Sequence, residues 1–183
     1  MKQGKHVAIP YRRKRTQYTD YKQRLSLLKS RKPRLVIRKS LRYIIAQIVE
    51  YRPNGDRVIS GISSRELEKY GWKYSKKNIP AAYLTGLLLG RKSTGTADMI
   101  VDMGMQVSNK ESRIYAVVKG MLDSGMKIPV SEEILPSEDR IKGKHVAEYA
   151  SKNPSVFSGY KKNAQEAKDM PSIFESVKEK IMK

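Results

Sequence analysis

Cysteine is absent from all 183 residues. That one absence removes disulfides, thiolate metal sites and cysteine nucleophiles, and it fits a reducing interior. Histidine occurs only at His6 and His145, one in a tail and one far along the chain. Neither a zinc cluster nor a histidine-based triad can be assembled from that pair. No apolar run reaches the roughly 18–20 residues of a membrane span. No apolar stretch follows the basic N-terminus, so a secretory signal is not expected. Acids are also scarce: 18 Asp and Glu face 38 Lys and Arg, a net charge of +20. Hydrophobic residues make up 39%, enough for one modest core, so the chain reads as one domain with extensions.

The surplus charge is concentrated at one end. Residues 1–42 hold 15 of the basic residues and a single acid, Asp20, for a net +14. The densest part is Tyr11 to Arg42, which opens with Arg12-Arg13-Lys14-Arg15 and interleaves Tyr11, Tyr18 and Tyr21. Such density repels itself in a compact state and is tolerated where a polyanion supplies counter-charge. The tyrosines add flat faces on which unpaired bases stack. Charge and aromatics together point to nucleic acid rather than a merely solvated tail. An anionic membrane is not the expected partner, because the arginines form no amphipathic stripe.

The remaining pattern reads as α/β. After an extended start ending in Pro10, Asp20 or Thr19 can cap a short basic helix carrying Tyr21, Leu25 and Leu28. Three strands are predicted next, over 34–38, 43–51 and 57–62, with Pro53-Asn54-Gly55-Asp56 as a hairpin turn. A short helical turn over 63–70 ends at Gly71. Asn78 then caps, with Pro80 in the first turn, an apolar helix from Ile79 to about Lys92. A fourth strand over 96–104 and a second helix over 113–124 follow. A helix between strands implies a right-handed crossover and parallel pairing. The acidic, proline-punctuated SEEILPSED at 131–139 reads as the end of the core. A short helix is predicted over 142–150, a loop over 153–163, and a terminal helix opened by a capping box at Ser172-Ile173-Phe174-Glu175. The expected division is an arm at 1–32, an α/β core at 33–130 and a peripheral C-terminal extension at 131–183.

Three motifs are weighed beside the RNA reading. Gly86 to Gly95 superficially resembles a phosphate loop, but its spacing is wrong and it ends a helix. Gly86 and Gly90 are better read as allowing close approach of helix and sheet. Asp98 and Asp102, four apart on a strand, share one side and supply the alternative reading, a metal-dependent nuclease of ribonuclease H type. The first strand adds no carboxylate to that pair. Trp72, among Lys69, Lys73, Lys76 and Lys77, is either a core anchor or a stacking platform.

The runs YTDYKQRLSLLKSRKPRLVIRKS, PNGD, EKYGWKY, NIPAAYLTGLLLGRK and RIKGKHVAEYA closely resemble the archaeal and eukaryotic branch of the large-subunit ribosomal protein L-eighteen family, across about residues 8 to 150. The resemblance implies a non-enzymatic, cofactor-free protein of the cytoplasmic ribosome. It implies an α/β/α three-layer core with a mixed sheet, preceded by a basic extended arm. Such a protein binds 5S rRNA and fixes it to the large-subunit rRNA in the central protuberance, beside a second 5S-binding ribosomal protein. Carried over by position, the RNA-facing residues are Arg12, Arg13, Lys14, Arg15, Tyr18, Tyr21, Arg24, Lys29, Arg31, Lys32, Arg38 and Lys39, with Trp72 and Asn78 as further candidates.

Overall fold

The computed structural model describes residues 8–93, 98–153 and 168–183. His6, the start of the fourth predicted strand and most of the loop expected over 153–163 lie outside the described residues. Four strands form one sheet in the order β3-β2-β1-β4. β1 (Arg34–Lys39), β2 (Ile44–Glu50) and β3 (Arg57–Ser63) make the antiparallel meander, and β4 (Ile100–Asp102) pairs parallel to β1. Local chemistry sets these turns. Ser40 Oγ accepts from the Tyr43 and Arg42 amides at the first, and Gly55 takes a φ of 132° at the second. β4 is far shorter than expected. It stops where Gly104 adopts a φ of 61° and donates its N–H to Asp102 Oδ1 at 2.9 Å.

Alternation along the strands sorts the two faces. Leu35 and Ile37 of β1 and Ile44, Ala46 and Ile48 of β2 are fully buried on the inner face. There they meet α3 (Ile79–Lys92), with α4 (Arg113–Asp123) beside it. Arg34, Val36 and Arg38 point the other way. α1 (Arg12–Arg15) and α2 (Tyr21–Lys29) flank that outer face, which completes the α/β/α layering with a thin third layer.

α3 starts as read: Asn78 Oδ1 accepts the Ala81 amide at 2.9 Å, and Pro80 sits in the first turn. Every residue from Pro80 to Gly90 is buried. The glycines serve a helix pair rather than a helix–sheet contact. A Cβ on Gly86 would overlap the Val117 carbonyl of α4, and one on Gly120 would lie 2.7 Å from the Leu87 nitrogen of α3. Gly90 instead makes room for the side chain of Ser124, just past the end of α4. The crossing is close because both helices carry glycine where their backbones meet.

Trp72 is 1% exposed. Its Nε1 donates to the Ser75 carbonyl at 3.2 Å, and its ring meets Tyr74 edge-on with centroids 5.2 Å apart. The segment before it, Ser64–Tyr70, is a 3-10 helix with a true capping box: Ser63 Oγ accepts from Arg65 N, and Glu66 Oε1 accepts from Ser63 N.

Beyond residue 131, α5 (Glu138–Lys142) and α6 (Lys144–Lys152) meet at Gly143, φ 77°. The C-terminal helix, Met170–Met182, was expected at the periphery. It instead places Met170, Phe174, Val177 and Ile181 in the main core, at the three-and-four spacing of one helix face. Phe174 packs 5.6 Å from the buried Tyr83 of α3. The helix begins at Met170, with Pro171 in its first turn. Ser172 lies inside it and donates to the Asp169 carbonyl instead of capping.

Candidate nucleic-acid interface

The arm approaches the sheet from its outer side. Within the stretch expected to be extended, Arg12–Arg15 close one helical turn, with the Lys14 and Arg15 amides donating to the Tyr11 carbonyl. Arg and Lys are good helix formers, so the turn costs little. All four cations are exposed. Asp20 then caps α2, accepting from the Lys22 and Gln23 amides at 2.9 and 3.1 Å. Tyr11 and Tyr21 lie against each other at 5.6 Å, tilted by 50°. Tyr18 is 77% exposed.

An ion-pair chain joins this arm to the sheet. Arg24 Nη2 of α2 donates to both oxygens of Asp56, at 2.9 and 2.8 Å. Arg34 Nη2 donates to Asp56 at 2.7 Å, and its Nη1 donates to Asp102 Oδ2 at 2.8 Å. Arg38 Nη2 reaches Asp102 Oδ1 at 2.9 Å, and its Nη1 the Asp102 carbonyl at 2.8 Å. Arg34 is 1% exposed. A buried guanidinium with two carboxylates is tolerable because its charge is matched on both sides. Partial burial works to raise the Asp56 pKa, but hydrogen bonds and charge from Arg24 and Arg34 outweigh it and hold the carboxyl below its ordinary range. Between arm and sheet lies a cleft of about 420 Å³, lined by Arg13, Tyr21, Arg24, Arg34, Arg38 and the two aspartates, among others.

These contacts divide the sequence candidates. Arg12, Arg13, Lys14, Arg15, Lys29, Arg31 and Lys39 are exposed cations with no ion pair among the described residues. Arg24 and Arg38 are committed to Asp56 and Asp102, so they hold the arm and strand in place. Lys32 shares an exposed pair with Asp98 at 3.0 Å.

The family model described as "Ribosomal large subunit proteins 60S L5, and 50S L18" matches residues 5–99. The "Large ribosomal subunit protein uL18" of Korarchaeum cryptofilum is 48% identical over 181 residues, covering 94% of this chain and 93% of the relative. The protein of the same name from Thermofilum pendens is 43% identical, covering 99% and 97%. The chain belongs to the uL18 family of ribosomal proteins. It is accordingly a structural protein of the large subunit and not an enzyme.

Membership of the uL18 family agrees with what became of the nuclease alternative. Asp102 is enclosed by two guanidiniums and Asp98 is exposed beside Lys32, so the pair does not converge on a metal. Among the described residues no group of His, Cys, Asp or Glu could hold one. His145 sits in α6, where burial and the nearby Arg140 charge push its pKa down. Trp72 has no open face for a base. Asn78 spends its side-chain oxygen on the α3 cap. Both serve the fold.

The sequence reading missed Arg34, Asp56 and Tyr51. Arg34 and Arg38 are four apart in a strand and so share a face, a signal that they need a common partner. Tyr51 was read only as the end of a strand, but it stands 54% exposed beside α2.

Proposed function

We propose that this chain binds 5S rRNA and fixes it to the large-subunit rRNA in the central protuberance, next to a second 5S-binding ribosomal protein. One observation supports this above others: the cations Arg12 to Arg15, with no ion pair among the described residues, stand exposed beside exposed tyrosines on an arm tethered to the sheet. Arginine clamps phosphate bidentately and lysine acts as a point charge, so the cluster tracks a backbone without reading sequence. Release of condensed counterions supplies most of the affinity. Tyr18 and Tyr21 sense unpaired bases, and folded RNA is recognised through such bases together with shape, phosphate and sugar. Arg24 and Arg38 act indirectly by fixing the geometry from which the arm departs.

The test is a salt titration against 5S rRNA and an unrelated structured RNA. Replacing Arg12, Arg13, Lys14 and Arg15 with alanine should weaken both complexes alike. It should also flatten the log–log salt dependence by roughly 0.7–0.9 for each phosphate no longer neutralised. Tyr18→Ala with Tyr21→Ala should keep the slope and narrow the preference for 5S rRNA. A four-cation variant with the parental slope, or a parent with no preference for 5S rRNA, would refute the proposal.

A further inference from the structure

A second groove lies further along α2, at its C-terminal half. It has a volume of about 500 Å³ and is lined by Leu25, Leu28, Lys29, Arg31, Lys32 and Tyr51, together with Glu50. Leu25 is 57% and Tyr51 54% exposed, large apolar surfaces for a chain so rich in charge. The floor is therefore apolar and the rim cationic. The one acid, Glu50, is answered by Arg52 at 3.0 Å.

Arg31 supplies an independent clue. It follows the C-cap Ser30 of α2, has a φ of 55°, and donates its N–H to the Leu28 carbonyl at 3.1 Å. Glycine is the usual residue at that helix-ending position, because a Cβ is strained there. This turn sets Arg31 at the groove's rim, and its exposed side chain makes no ion pair among the described residues.

We propose that this groove receives one unpaired nucleotide of the bound RNA. Its base stacks on Tyr51 and lies over Leu25 and Leu28, while its flanking phosphates meet Lys29, Arg31 and Lys32. This deepens the RNA reading above and rests on it. Charge complementarity and continuity along the chain with the basic cluster of α1 select RNA over a polypeptide. Lys32 can exchange its exposed partner Asp98 for phosphate, since such surface pairs are weak.

The experiment uses the full chain and two probes, a single-stranded oligouridylate of about ten nucleotides and an RNA duplex of similar length. Tyr51→Leu keeps apolar bulk and removes the aromatic face. It should lower affinity for the single strand roughly 5- to 100-fold while leaving duplex affinity and salt slope unchanged. Tyr51→Phe should bind like the parent. Arg31→Gly relieves the strained φ, so it should melt no lower than the parent. It should nonetheless bind the single strand more weakly, with the salt slope reduced by roughly 0.7. The proposal is overturned if Tyr51→Leu binds the single strand like the parent, or weakens single strand and duplex equally. It is also overturned if an acidic, leucine-containing peptide needs Tyr51 while the oligonucleotide does not. Preference for 5S rRNA is scored separately, so its failure refutes the proposed function while the oligonucleotides still decide the groove.

Discussion

Asp102→Asn tests the ion-pair chain most directly. The change is nearly isosteric but removes the charge and half of the acceptor capacity. Asp102 accepts from Arg34 at 2.8 Å, from Arg38 at 2.9 Å and from the Gly104 amide at 2.9 Å. An asparagine amide group would face one of those guanidiniums donor to donor. Removing one partner of a buried pair costs about 3–5 kcal/mol, because the other charge stays buried. Arg34 keeps Asp56 at 2.7 Å, which places the expected loss near the lower end, about 3 kcal/mol. For a domain of this size each kcal/mol lowers Tm by about 2–4 °C, so a fall of roughly 6–12 °C is expected. Trp72 is the only tryptophan and is buried, so its fluorescence reports core unfolding in urea or heat. Asp98→Asn is the control. It breaks only an exposed pair and should cost less than about 1 kcal/mol. Equal losses of stability for the two variants would refute the claim that Arg34 depends on Asp102.

Three further outcomes follow from the geometry. Gly86→Ala should destabilise by about 1–3 kcal/mol or more in urea unfolding despite alanine's better helix propensity, because its Cβ meets the Val117 carbonyl. Asp56 has a depressed pKa, so its contribution is complete above the ordinary value of 3.8 and is lost as pH falls below it. Parent and Asp56→Asn should therefore differ in stability near neutrality and converge in acid. The Tyr83 hydroxyl is buried and donates to Asp123 Oδ2 at 2.7 Å, and both effects raise its pKa. Its stabilisation is present below pH 10 and lost above it, so alkaline melting should fall more steeply for the parent than for Tyr83→Phe.

What could be read from the chain was local. Asn54-Gly55 carries its own turn chemistry, Asn78 and Pro80 mark a helix start, and the cations of the arm are contiguous. What escaped depended on distant partners. Arg34 meets Asp102 across 68 positions only because β4 pairs beside β1. Lysines surround Trp72 in the sequence, but the ring turns into the core, which only the folded chain reveals. The acidic run at 131–139 resembles the end of a core. The periodic Phe174, Val177 and Ile181 have no visible destination in the sequence, because their receiving surface, on α3, lies far back in the chain.

The C-terminal helix has a consequence for how the protein comes into being. Its four buried side chains close a core whose other walls are formed by residues 35 to 141. They must emerge from the translating ribosome after everything they cover. Until then, the apolar side of α3 and the ring of Tyr83 stand uncovered, while the first 42 residues, net +14, have already emerged. The nascent chain thus offers polyanions its most adhesive part before it has a finished body to present it from.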